Sequence, residues 1–252
     1  MSRDFVATSW LIYNSPLASS YPVSFACWFN EDNVGNGSLI AMANNATNNN
    51  YIMLVYVLGS YVGAQMSATT DGVAQSTSAP TANTWQHAVA TFTSQTSRAV
   101  YLNGGNKGTN ATDIGGFSFG MDNTTLGMLR RQTPVNQYDG EIAEAAIWSA
   151  TLTDDEATIL AAGYSPLLVR PESLVAYWPL MGKSFPEIDI VGGYNMSLGS
   201  GTVNGTPQPA IFHAGAFIPP PLVSVVQPAA PEALYVPRHG VVVPDLGGMI
   251  TL

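Results

Sequence analysis

Charged side chains are scarce in this sequence. Asp, Glu, Lys and Arg make up 10% of its 252 residues, against about a quarter in ordinary soluble domains, and Asn, Ser, Thr and Gly fill the polar positions instead. An uncharged polar surface suits a protein packed against others in an assembly, and it also suits a binder of neutral sugars. Basic residues are the scarcest: eight Lys and Arg against 17 Asp and Glu leave a net charge of -9. The eight are scattered, so no stripe exists to neutralise a phosphate backbone, and nucleic acid is excluded as a partner.

A single cysteine, Cys27, rules out an internal disulfide and a Cys-based zinc site. It lies in "VSFACWF", where Phe25, Cys27 and Phe29 share one face and Ala26 and Trp28 the other, the setting of a small buried core residue. Histidine is nearly as rare, at positions 87, 213 and 239, and no Gly-x-Ser-x-Gly elbow occurs. No run approaches the ~18 apolar residues of a membrane span, and "MSRDFVATSW" carries no apolar core followed by a cleavage site. The expectation is a chain that begins at Met1 or Ser2, is made in a cytoplasm and does not enter a membrane. No cofactor-binding motif is present, and none is expected to be needed.

What the sequence does hold is short alternating runs. "SWLIY", "VSFACWF", "SLIAMA", "YIMLVYVLG", "YVGAQMSA", "HAVATF", "AVYLNG", "TTLGML" and "EIAEAAIW" are broken by Gly, Asn, Pro and Ser turns, the spacing of an antiparallel β-sandwich rather than of strands alternating with helices. In "WQHAVATFTSQTSRAVYLNG", Ala88, Ala90 and Phe92 alternate with Val89, Thr91 and Thr93, so His87 reads as a strand residue, and Asn103-Gly104 opens a turn. One helix is expected at "TLTDDEATILAAGYSP". Thr153 and Glu156 form a capping box, Ile159 and Leu160 an apolar side, and Gly163 and Pro166 the stop.

"VSFACWFN", "WQHAVATF", "SRAVYLNG", "TLGM" and "YDGEIAEAAIWSATLTDDEATILAAG", in this order over residues 5 to 165, resemble the laminin-G-like branch of the concanavalin A-like lectin/glucanase superfamily. The resemblance implies an all-β jelly-roll. The segment "ESLVAYWPLMG...DIVGGYNMSLGSGTV", residues 172 to 203, resembles the part that usually opens such a domain, yet here it closes it. Residues 1–206 are thus read as one sandwich, with residues 172–206 supplying closing strands in permuted order.

Since the superfamily includes glycosidases, paired carboxylates matter. "PEIDIVGG" places Glu187 and Asp189 on one face but offers Val191 or Gly192 where a second Glu would be required. "DGEIAEAA" holds Asp139, Glu141 and Glu144, and in a regular strand Glu141 and Glu144 point to opposite faces. No catalytic residue is assigned and the expectation is a protein without enzymatic activity. No metal site is assigned either; Asp122 and Asp139 are the best ligands that a calcium loop could draw on. Tyr51, Tyr56, Tyr61 and Tyr138 are candidates for stacking on sugars, or else strand residues of the sandwich. The six Asn-x-Ser/Thr sequons at Asn36, Asn45, Asn110, Asn123, Asn195 and Asn204 are what a chain rich in these residues generates by chance.

From residue 207 the composition changes, with nine of the 17 prolines falling among apolar β-branched residues up to Leu252. Such a segment is neither helix nor central strand, and it is too apolar for an ordinary linker. An extended arm that buries Leu222, Val223, Val225, Leu234, Tyr235, Val241, Val242 and Val243 against neighbouring subunits is expected. The arm, the low charge and the missing export signal resemble laminin-G-like virion proteins of tailed bacteriophages. The resemblance implies a structural component of the particle's outer surface, a capsid decoration protein before a tail or fibre part, with other copies of itself and a major capsid or other virion protein as partners. The alternative is a carbohydrate- or host-surface-binding lectin-like module with a glycan as partner.

Overall fold

The computed structural model describes residues 2–33, 35–181 and 184–213. Thirteen strands and one helix follow in sequence order: β1 Arg3–Tyr13, β2 Val23–Glu31, β3 Asn36–Ala43, β4 Ile52–Leu58, β5 Tyr61–Ser67, β6 Asp71–Gln75, β7 Gln86–Ser94, β8 Ser97–Leu102, β9 Gly105–Asn110, β10 Asn123–Leu126, β11 Gly140–Trp148, α1 Asp154–Ala161, β12 Leu174–Trp178 and β13 Ser197–Asn204. Every named pairing is antiparallel. One sheet runs β6-β5-β4-β3-β10 and the other β11-β2-β7-β8-β9, and β1 joins them. Among the described residues the result is the expected all-β sandwich with one short α-helix.

β1 serves both sheets because it turns a corner. Its first residues pair with β11 (Arg3 opposite Ile142, Phe5 opposite Gly140), and its last pair with β10 (Leu11 opposite Leu126, Tyr13 opposite Thr124). Between them the pairing with β13 jumps from Phe5–Thr202 to Trp10–Ser200, an insertion in β1 that bends the strand. Buried Ser9 holds the bend, its hydroxyl accepting from the Val6 amide at 2.8 Å and donating to the Val6 carbonyl at 2.9 Å. β12 lies beside β11 and β13 beside β1.

The alternation in the sequence sorts side chains as expected. Phe25, Cys27 and Phe29 of β2, Ala88, Ala90 and Phe92 of β7, and Met53, Val55 and Val57 of β4 fill the space between the sheets. Burial pushes the Cys27 thiol far up, which suits an inert core residue. His87 stands opposite Trp28 with the rings edge to face at 5.2 Å, and its backbone accepts from Asn103 at the turn where Asn103 and Gly104 both have positive φ. The outer face of this second sheet carries Ala26, Val89, Tyr101, Ala146 and Trp148, over which α1 lies. The capping box forms, with Thr153 Oγ1 accepting from the Glu156 amide at 3.3 Å and Glu156 Oε2 from the Thr153 amide at 2.7 Å. The apolar side of the helix differs from expectation: Ala157 and Leu160 are buried, three residues apart, whereas Ile159 faces outward.

Two buried titratable groups act in opposite senses on stability. Glu31, 2% exposed at the inner end of β2, is pushed up to about 7 by burial, with one weak contact from the Gly35 amide in opposition. His87 is pulled down to about 3 by burial. The folded state holds the Glu31 proton longer than the unfolded chain, so this group lowers stability as pH rises from ~4.5 to ~7. The folded state refuses the His87 proton, so that group raises stability as pH climbs from ~3 to ~6.5. Between these limits the two slopes oppose each other. Glu31→Gln should therefore raise the melting temperature at pH 8 by roughly 3 °C and make the change in melting temperature from pH ~4.5 to ~6.5 more positive than in the unaltered protein. A calorimetric pH series checks both.

Candidate functional site

The carboxylates singled out in the sequence are engaged in holding the protein together. Glu187 accepts from Arg3 Nε at 2.8 Å with both side chains buried, and burial raises its carboxyl pKa despite the guanidinium beside it. Asp189 is 4% exposed and accepts from four backbone amides: Tyr177 at 2.8 Å, and Val191, Gly192 and Tyr194 each at 3.0 Å. A regular β11 would separate Glu141 from Glu144, but the strand bulges between Ala143 and Ala146, and Glu144 takes φ 54°. Both carboxylates consequently lie on the outer face, a correction to the regular-strand expectation. Glu141 accepts from Asn30 Nδ2 at 2.9 Å, from Thr206 Oγ1 at 2.8 Å and from the Thr206 amide. Glu144 accepts from the Tyr177 hydroxyl and from Gln208 Nε2, and burial raises its pKa against these bonds. Residues 206–208 close over the pair.

Asp122 and Asp139 are kept apart. Asp122 accepts from the Asn45 backbone amide and from the Asn123 side-chain Nδ2, while exposed Asp139 sits by Asp4, Asp32 and Glu141. Desolvation comes first in raising the Asp4 and Asp32 pKa values, followed by these like charges. Among the described residues no three His, Cys, Asp or Glu side chains converge on one point. The eight arm residues, Leu222, Val223, Val225, Leu234, Tyr235, Val241, Val242 and Val243, lie outside the described residues, as does His239.

Of the four tyrosines, Tyr138 is fully buried in the core, and half-buried Tyr51 packs edge to face on Phe117. Tyr56 and Tyr61 lie together on the outer face of the first sheet, hydroxyls 3.2 Å apart. Tyr56 lies flat across β5 because residue 63 is glycine; a Cβ there would come within 2.4 Å of the ring. Tyr56 is buried, and Tyr61 alone of the four keeps partly exposed surface on this face.

Further along the same face is a groove that the sequence did not announce. Its floor is Ile52, Leu129 and Val135, and around it stand Asn48, Asn49, Gln65, Ser67, Asp71, Arg131 and Asn136. Gln65 and Ser67 are the off-beat positions of "YVGAQMSA", opposite the inward Val62, Ala64 and Met66; that alternation was the one legible signal. Gln65 Nε2 donates to Ser67 Oγ at 3.0 Å, which sets the amide along the strand. The rim is cross-tied between the β3–β4 loop and residues 131–133. Arg131 donates to the Asn48 carbonyl and, at 3.4 Å, to Asn49 Oδ1, and the Thr133 amide donates to Asn48 Oδ1 at 2.7 Å. The Gln132 amide donates to the Thr47 carbonyl at 3.0 Å. Such a rim holds its hydrogen-bonding groups in place before any ligand arrives.

Residues 7–158 match a laminin G family model described as the concanavalin A-like lectin/glucanases superfamily. The chain belongs to this superfamily. No curated protein matches it in sequence. The superfamily fold recurs in the native heptameric SAP-like pentraxin of Limulus polyphemus, with 18% identity over 64% of this chain and 81% of that one at a TM-score of 0.54. A Bacteroides ovatus protein provisionally described as carbohydrate binding is similar over 84% of this chain, which spans 61% of its length, with 16% identity and a TM-score of 0.58. The CBM40 module of the Ruminococcus gnavus IT-sialidase, in complex with α2,3-sialyllactose, shares 18% identity over 64% of this chain and 94% of the module, with a TM-score of 0.50. At these identities the likeness is one of fold, and no residue role passes across it.

Asp189 offers the sharpest stability test of the superfamily domain here. Asp189→Asn replaces a carboxylate shared by four amides with a group that must turn two donors toward them, and should cost about 2–4 kcal/mol. Differential scanning calorimetry should show a melting temperature lower by roughly 5–10 °C.

Proposed function

We propose that this protein is a non-catalytic, lectin-like module that binds a carbohydrate in the groove on the outer face of the first sheet. The observation that carries this is the groove's composition. Amides, a hydroxyl, one carboxylate and one guanidinium dominate a mostly polar lining in which Ile52, Leu129 and Val135 leave a small apolar floor, held by loop-to-loop hydrogen bonds. Sugars present this pattern in reverse, hydroxyls around the ring edge and C–H groups on its faces, so polar side chains can fix orientation while the floor covers an apolar face. The shared fold of the sialyllactose-bound CBM40 module, and of the Bacteroides ovatus protein provisionally described as carbohydrate binding, supports the reading. The absence of catalysis rests on the carboxylates: Glu141, Glu144, Glu187 and Asp189 are each bound up in internal hydrogen bonds. Isothermal titration with lactose and with 3′-sialyllactose tests the groove. At least one should bind without being hydrolysed, and Gln65→Ala and Arg131→Ala should each weaken it by about tenfold. No binding of either sugar, or binding indifferent to both substitutions, would remove the groove from the account.

The second reading places the same module on a virion surface, as a decoration or tail component joined to other subunits. What favours it is apolar surface on the sandwich together with the apolar, proline-rich sequence after residue 207. Met181, Phe185, Ile188, Ile190 and Val191 are exposed within one short stretch after β12, a concentration that marks contact surfaces. The described residues stay on the sandwich through His213, with Gln208 bonded to Glu144 and Phe212 bridged to Tyr164. Deletion of residues 214–252 should leave a folded sandwich that has lost self-association or particle binding. Analytical ultracentrifugation of the full and shortened proteins decides this, and equal sedimentation behaviour would leave the arm without a role in assembly.

A further inference from the structure

A cleft at one end of the sandwich shares no residue with the groove. Tyr13, at the end of β1, and Tyr194, in the turn before β13, form its aromatic walls, their rings edge to face at 5.4 Å, and residues 15–19 of the β1–β2 loop form the rest. Its volume is about 320 Å³. Both walls are fixed from behind. Tyr13 is paired with Thr124 of β10, whose hydroxyl donates to the Ser15 carbonyl at 2.9 Å, and the Leu17 amide rests on Met42 Sδ at 3.3 Å. On the other side Asp189 Oδ2 accepts from the Tyr194 amide, and Trp178 Nε1 donates to the Tyr194 carbonyl at 2.9 Å. Gly192 completes the fixture, since a Cβ there would lie 2.3 Å from the Tyr194 ring and 2.5 Å from the Val175 carbonyl.

We infer that this cleft is a second binding site, for the ring of a neutral sugar. The chemistry of the walls selects the class. No charged side chain lines the cleft, so neither an anion nor a cation finds a counter-charge there. A purely apolar ligand would make no use of the hydroxyl-bearing side chains of Ser15, Ser19, Tyr13 and Tyr194 in the lining. A pyranose meets both demands, with C–H groups against a half-buried tyrosine ring and hydroxyls toward serine, phenol and main-chain groups. Asp189 is thereby a positioning residue: the carboxylate never touches the ligand but holds the turn that presents Tyr194. The site does not depend on the groove, and two sites on one module would give avidity for repeated glycans on a surface.

Titration of the ¹⁵N-labelled full-length protein with lactose, cellobiose and maltose separates the two sites. At least one of these neutral sugars should shift the amides of residues 13–19 and 190–196. Tyr194→Ala should weaken that response by about tenfold or more while spectra elsewhere stay dispersed and groove residues 48, 49, 65–71 and 131 respond as before. The Tyr13→Phe, Tyr194→Phe double variant, which keeps both rings, should retain binding at a loss of only a few-fold. Arg131→Ala should leave the cleft untouched, so failure of the groove does not mimic failure of the cleft. If none of the three sugars moves the cleft amides, or if Tyr194→Ala binds as the unaltered protein does, the inference is overturned.

Discussion

The bend in β1 is the constraint on which the rest of the domain depends. One strand must pair with β11 at its start and β10 at its end, and those partners belong to different sheets. The insertion at residues 6–9 makes that possible, with the Ser9 hydroxyl serving both the amide and the carbonyl of Val6. β13 follows β1 through the bend and so is shared between the layers as well. With the two sheets joined in this way, the aromatic and aliphatic residues of β2, β4 and β7 enclose a continuous core. The outer face of one sheet is left for α1, and that of the other for the groove.

Acidic residues outnumber basic ones two to one, yet the carboxylates that look most chemical are spent on architecture. Glu187 meets Arg3, Asp189 gathers four amides, and Glu141 and Glu144 hold residues 206–208 against β11. Each ties down a segment that follows β11 in the sequence, where β12 and β13 stand outside the main strand order. Carboxylates are well suited to this because an ionised acceptor binds amides roughly twice as strongly as a neutral one. The proposed binding surfaces draw mainly on amides, hydroxyls and tyrosine rings, with Asp71 and Arg131 of the groove as the charged exceptions, which matches a sequence poor in charge and rich in Asn, Ser and Thr. Binding by such groups is weak for each contact and depends on their being held in place, which the cross-tied rim and the Asp189 turn provide.

Much of the frame was legible in the residues themselves. Local rules carry the strand runs, the Asn103-Gly104 turn, the Thr153–Glu156 cap and the burial of Cys27, because alternation, positive φ and capping act within a few residues. The order of motifs was enough to identify the superfamily. Where the structure departs from these local rules, a contact distant in sequence intervenes. Ile159 lost its place in the core because α1 meets the sheet through Ala157 and Leu160, and Glu144 changed face because β11 bulges where β12 joins it.

The proposed binding surfaces belong wholly to the second kind. Nothing local distinguishes Tyr138, enclosed in the core, from Tyr61 on the outer face, or marks Tyr13 and Tyr194, far apart in sequence, as one cleft. Asn48 and Arg131 meet only because β3 pairs with both β4 and β10, bringing their flanking loops together. The sequence by itself determined a sandwich of alternating strands with an uncharged polar surface, since periodicity and composition are properties of the polypeptide. Which of those polar and aromatic groups face one another was decided by the tertiary structure alone, because a binding site is a matter of distances between elements that come together only by folding.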